Sequence, residues 1–169
     1  MTFEEFAASR LPAVLAFAAV LTGQRATAED IAQEVLIRAH ARWDTIGGLD
    51  RPELYVRKMV LNEFLSWRRR SWRMIPAGDA AIPADQIFDL ADQYADRSAL
   101  LAEIAKLPRR QRAVLVLRYY EDRSDAEIAE LLGCRPATVR AYASRALAAL
   151  RVEMGPQTGN LTSYRGSEA

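Results

Sequence analysis

Apolar residues recur at three- and four-residue steps through most of the chain, and apolar and polar positions nowhere alternate for long, so the pattern predicts helices and argues against strands. Phe3, Phe6, Leu11, Val14, Leu15, Ala18 and Leu21 keep that step behind Thr2 and Glu5, which have capping-box spacing, and Pro12 predicts a kink. Thr27 reads as the cap of a second helix, with Ala28, Ala32, Val35, Leu36, Ala39 and Trp43 on one side. After a turn over 43–48, Asp50 and Glu53 form a second box, with Pro52 in the first turn of a third helix. That helix runs to about Arg70 on Leu54, Val56, Val60, Leu61, Phe64 and Leu65. The period weakens from Ser71 to Arg97, where Pro76, Gly78 and Pro83 interrupt, and it returns at Ser98.

The last third is the most informative. Pro108 opens a helix that reaches Tyr120, and Ser124-Asp125-Ala126-Glu127 makes another capping box ahead of Ile128, Ala129, Leu131 and Leu132. A helix-turn-helix needs a small residue in its first helix, a residue tolerating positive φ in the turn, and an aliphatic anchor in its second helix. Ala129, Gly133 and Val139 have those properties at the right offsets. Val139, either Tyr142 or Ala143, Ala146, Leu147 and Leu150 then form an inward stripe behind Pro136. Arg135, Thr138, Arg140, Ala141, Ser144 and Arg145 are left outward in the half of the helix that enters a major groove, where arginine donates to guanine or phosphate. Two surface helices packed for structural reasons alone are the competing reading.

Charge sharpens the division. The net +1 conceals 11 basic and 9 acidic residues over 1–75, 2 and 6 over 76–107, and 9 and 5 over 108–151. Two basic modules therefore flank an acidic middle that reads as a linker. On the second helix Asp30, Gln33, Glu34 and Ile37 share a face opposite the apolar one, which suits docking, although early acidic residues also complement a helix dipole. Arg57, Lys58, Arg68, Arg69 and Arg70 make the third helix basic toward its end, which suits a phosphate backbone and equally a helix C-terminus.

Cys134 and His40 are single and lie in different modules, which rules out an intrachain disulfide and a thiolate zinc cluster. No carboxylate pair or glycine-rich phosphate loop points to catalysis, so no catalytic residue, metal or cofactor is expected. The N-terminus lacks a signal-peptide pattern and no apolar run approaches membrane-spanning length, so a soluble, cytoplasmic chain without membrane insertion is expected.

Three segments taken together, Ala28-Glu29-Asp30-Ile31-Ala32-Gln33-Glu34, Tyr55 to Asn62 with Arg68-Arg69-Arg70, and Leu107-Pro108-Arg109-Arg110-Gln111-Arg112 ahead of the helix-turn-helix, resemble the extracytoplasmic-function group of sigma-70 factors, the minimal sigma subunits of bacterial RNA polymerase. The likeness runs from Phe3 to about Arg151. It implies an all-α protein of two small domains: region 2 over 1–70, a flexible acidic linker over 71–97, region 4 over 98–152, and a disordered tail over 153–169. By position, it implies that Asp30, Gln33, Glu34 and Ile37 meet the β′ clamp of core polymerase. Asn62 would contact a flipped base of the −10 element, with Ile46 in the adjoining loop and Arg57, Lys58, Arg68, Arg69 and Arg70 on phosphates. Arg135, Thr138, Arg140, Ser144 and Arg145 would serve the −35 element, with Arg112 on a phosphate. The partners implied are core RNA polymerase through its β′ clamp and β flap, promoter DNA, and an anti-sigma protein. Arg135, Pro136 and Tyr142 depart from residues frequent in the group, which bears on sequence preference and not on fold. A dimeric DNA-binding regulator and an adaptor without DNA contact are the alternatives; the first leaves the Asp30–Ile37 face unexplained.

Overall fold

The computed structural model describes residues 1–71 and 95–154, with side chains over 1–66 and 99–151. Every regular element among them is a helix: α1 Phe3–Thr22, α2 Arg25–His40, α3 Trp43–Ile46, α4 Pro52–Ser71, α5 Ala95–Ala105, α6 Arg109–Leu115 continued by a π-helical turn Val116–Tyr120, α7 Asp125–Leu132 and α8 Pro136–Met154. The chain divides into two compact units, Met1–Ala95 and Asp96–Ala169. Most of the expected linker and tail lies outside the described residues; at their edges, α4 includes Ser71, α5 begins at Ala95 and α8 runs to Met154.

In the first unit α1, α2 and α4 pack on one another. The Glu5 amide donates to Thr2 Oγ1 at 3.2 Å and the Thr2 amide to Glu5 Oε2 at 2.8 Å, closing the box that starts α1. Helix α1 continues through Pro12, which is exposed, so water can satisfy the carbonyl that the missing N–H leaves. By length and composition α1 could cross a bilayer, contrary to the expectation that no run is long enough. In this fold the side carrying Phe6, Val14, Phe17 and Leu21 is core.

Gly23, at φ 69°, ends α1, and α2 starts at Arg25 rather than after Thr27. The Thr22 hydroxyl donates to the Gln24 carbonyl at 3.0 Å and accepts from its amide at 3.3 Å, which fixes Gln24 as the cap, while Thr27 donates to the Gln24 side chain at 3.0 Å. At the start of α4, Glu53 pairs with Arg51 at 3.3 Å instead of boxing with Asp50.

The stretch expected as a turn contains the short helix α3, and Ile46 at its end is only 2% exposed. The expectation that Ile46 touches DNA is therefore corrected: its side chain belongs to the core. The neighbouring Trp43 indole donates to the Met1 carbonyl at 3.0 Å and meets the rings of Phe3 and Phe6 at 5.4 and 4.8 Å. This cluster anchors the chain start to α3.

In the second unit α8 packs on α6 and α7, and Leu100, Ile104, Leu107, Leu115, Ala146 and Leu150 form a core cluster with Tyr119 and Leu147 against it. Arg112, expected on a DNA phosphate, points inward instead: its Nη2 donates to the carbonyls of Ala105 and, at 3.0 Å, Leu107. Burial, and then the like charge of Arg109, lower its pKa to about 10, so it remains a cation at neutral pH. It ties the end of α5 to α6.

Ile46→Ala is expected to lower the unfolding free energy by about 2–5 kcal/mol and Ile46→Val by about 0.5–1.5 kcal/mol, measured by chemical denaturation. Unchanged stability in Ile46→Ala would remove Ile46 from the core.

Candidate nucleic-acid interface

The turn between α7 and α8 is set by local chemistry. The Ser124 amide donates to Glu127 Oε2 at 2.8 Å and the Glu127 amide to Ser124 Oγ at 3.2 Å, so α7 begins capped. Hydrogen bonding from the Ser124 backbone and hydroxyl, then Arg123, hold the Glu127 carboxyl below its ordinary range. This contribution is whole at neutral pH and is lost as acid takes the solution down through that lowered value.

Helix α7 ends at Gly133, with φ 64° and ψ 40°, and the Cys134 amide returns to the Ala129 carbonyl at 3.0 Å. A Cβ on Gly133 would meet nothing within 4 Å, so glycine is required there for its torsion and not for space. Two arginines to which the sequence assigned no site hold α7 in place. Arg110 Nη1 donates to the Leu132 carbonyl at 3.4 Å, and Arg118 pairs through Nε with Asp125 Oδ1 at 3.1 Å. Burial lowers the Arg118 pKa, but hydrogen bonding and charge from Asp125 and Tyr119 outweigh it and raise the value overall.

On α8, Val139, Ala143, Ala146 and Leu150 are buried, so Ala143 rather than Tyr142 completes the inward stripe, and Tyr142 and Leu147 are half-buried. Arg135, Arg140, Ser144 and Arg145 are exposed, with Thr138 and Ala141 half-buried beside them. Arg140 and Ser144 stand one turn apart on the open side.

On α4, Val56, Val60, Leu61 and Phe64 face the core, while Tyr55, Lys58 and Asn62 are exposed at helical spacing. Tyr55, 40% exposed, is the residue that sequence reasoning missed; its spacing to Lys58 and Asn62 was the available signal. Arg57 does not share this stripe: its guanidinium lies 5.8 Å from the centroid of the Phe17 ring. The side chains of Arg68, Arg69 and Arg70 lie outside the described residues.

On α2, Asp30 and Gln33 are exposed, Glu34 is half-buried, and Ile37 is 59% exposed. Gln33 and Ile37 border an open groove of about 640 Å³ between α1 and α2, also lined by Phe3, Leu11, Leu15 and Leu36. Three residues assigned inward by periodicity, Leu11, Leu15 and Leu36, thus line this groove and are not fully buried. Among the described residues no three His, Cys, Asp or Glu side chains gather as a cation site.

Residues 6–74 match the sigma-70 region 2 family and residues 97–150 the sigma-70 region 4 family. The chain is 34% identical over 155 residues to the RNA polymerase sigma-E factor of Streptomyces coelicolor, covering 91% of this chain and 86% of that protein. It is 34% identical over 148 residues to the ECF RNA polymerase sigma factor SigL of Mycobacterium tuberculosis, covering 82% of each. The fold is shared with the sigma factor RpoE of Bartonella quintana, solved in complex with the anti-sigma factor NepR, at a TM-score of 0.67 and 24% identity over 97% of this chain and 98% of that one.

Because the demand at Gly133 is torsional, Gly133→Ala is expected to lower stability by roughly 1–2 kcal/mol and Gly133→Asn by less, read from denaturation curves. Equal stability of all three proteins would mean that the turn is not left-handed in solution.

Proposed function

The chain belongs to the extracytoplasmic-function group of the sigma-70 family, and from that membership we propose how its surfaces divide the work of an alternative sigma factor, which binds core RNA polymerase and directs promoter-specific initiation. The exposed side of α8 reads the −35 element as duplex, with Arg140 and Arg145 on base edges or phosphates, Ser144 and Thr138 beside them, and Arg135 at the helix entry. The outer stripe of α4 works on the −10 element. Unpairing that element costs a few kcal/mol, and capture of an extruded base by Asn62, with Tyr55 offering a ring to stack on and Lys58 a charge for phosphate, offsets part of the cost. Strand separation then depends on which base is captured. Arg57, Arg68, Arg69 and Arg70 add positive charge on the same helix.

The α2 face of Asp30, Gln33, Glu34 and Ile37 docks on the β′ clamp, with exposed Ile37 as its apolar centre. The second unit meets the β flap. The chain itself has no catalytic activity, since polymerase performs the bond chemistry, and it acts in the cytoplasm, where polymerase and DNA are. An anti-sigma protein is the proposed regulator; a partner that co-purifies with the chain and suppresses its transcription in vitro is what the proposal expects.

The observation that carries this division is on α8: Arg140, Ser144 and Arg145 are open while Val139, Ala143 and Ala146 on the other side are buried. In run-off transcription with core polymerase, Arg140→Ala and Arg145→Ala are each expected to cost about 1–3 kcal/mol in promoter binding, roughly 5- to 150-fold, with thermal stability unchanged. Full promoter activity in the double variant would sink the assignment of α8.

A further inference from the structure

Arg38 is used by none of the surfaces described so far, yet it stands between two of them. Its Nη2 donates to Glu63 Oε2 at 2.5 Å, and its Nε lies 3.7 Å from Glu34 Oε1. Glu34 belongs to the docking face of α2, and Glu63 directly follows Asn62 on α4. The Glu63 side chain is 3% exposed against 39% for Arg38, so one partner is inside the unit and the other reaches in from its surface.

A carboxylate this deeply placed needs its cation, because removing one partner of a buried pair leaves an uncompensated charge. An apolar pair of similar volume would serve stability as well or better. What an ion pair adds is direction: the Arg38 guanidinium reaches Glu63 through Nη2 while its Nε lies near Glu34, and this fork favours one setting of α4 against α2, whereas aliphatic packing tolerates small slips. Successive helical residues point about 100° apart, so holding Glu63 inward holds Asn62 outward, with Lys58 one turn below it and Tyr55 beyond.

We propose that Arg38 and Glu63 are positioning residues for strand separation, fixing the base-capturing stripe of α4 relative to the polymerase-docking face of α2. The proposal rests on the reading of Tyr55, Lys58 and Asn62 as that stripe. It expects variants of the pair to bind polymerase normally and to fail specifically where DNA must be opened.

The test uses the full chain reconstituted with core RNA polymerase and compares Glu63→Gln, which removes the buried charge and keeps the shape, with Arg38→Lys, which keeps the charge and loses the fork. Core affinity, thermal midpoint and initiation are measured on a fully paired promoter and on the same promoter with its −10 segment already unpaired. Both variants are expected to remain folded and bind core within about twofold of the parent, to lose about tenfold in initiation on paired DNA, and to recover on the unpaired template. Equal losses on the two templates, or no loss on either, overturn the positioning role. Asn62→Ala serves as the separate control: if it falls no further on paired than on unpaired DNA, the reading of the α4 stripe fails, and the proposal with it, whatever the Arg38 and Glu63 variants do.

Discussion

The contact on which the first unit depends is the apolar packing of α2 and α4 with α1 behind both. Ile31 and Val35 from α2, Val56, Val60 and Leu61 from α4, and Phe6, Phe17 and Leu21 from α1 are each at most 1% exposed, and each full burial of such a side chain is worth about 1.5–3 kcal/mol. Because the inward faces supply the stability, the outward faces are free to vary in chemistry. Helix α2 presents a polar surface around one exposed isoleucine, and helix α4 presents an aromatic, a cation and an amide. Two helices that share one core thereby present two chemically distinct outer surfaces, which the proposal gives to polymerase and to nucleic acid. The rigidity of the core sets the distance between those surfaces.

The second unit solves the same problem with less material. Helix α7 has only eight residues, too few to hold its own orientation, so it is fixed from outside. A capping box starts it, a left-handed glycine ends it, Arg110 takes a carbonyl at its last turn and Arg118 pairs with its first. With α7 fixed, α8 leaves the turn in a defined direction, its small inward residues Ala143 and Ala146 allowing close packing. Arginine thus stands in two settings in this unit: Arg110, Arg112 and Arg118 are tied to protein atoms, while Arg135, Arg140 and Arg145 are exposed on α8.

Those two settings explain where sequence reasoning succeeded and where it failed. The all-helical class, the boxes at Thr2 and Ser124, the turn at Gly133 and the open stripe of α8 were all legible, because each depends on local spacing and on side chains within a few residues of one another. Arg112 was misjudged because its partners are carbonyls at the end of a different helix, and a guanidinium bound to carbonyls looks in sequence like one waiting for phosphate. The resemblance implies a loop position for Ile46 beside the DNA, whereas the short helix α3 turns its side chain into the core. Thr27 lost the cap to Gln24 because the clasp made by Thr22 begins the helix earlier. Tyr55 carries a signal in its spacing to Lys58 and Asn62, and the burial of Val56 and Val60 beside it shows that it faces out.

The family assignment excludes the regulator that binds DNA without polymerase. The physical core of the proposal is that neither unit alone specifies a start site: α8 holds paired DNA, α4 captures unpaired DNA, and polymerase brings the two grips together. Reconstituted transcription addresses this most directly, with sigma-free core polymerase supplied with the intact chain, with either unit alone, or with both units unlinked, on a library of genomic fragments. Transcripts starting at defined positions with the intact chain, and absent with either unit alone, are the expected outcome. Defined starts from the second unit alone, or none from the intact chain on any template, would show that the two-grip mechanism is wrong.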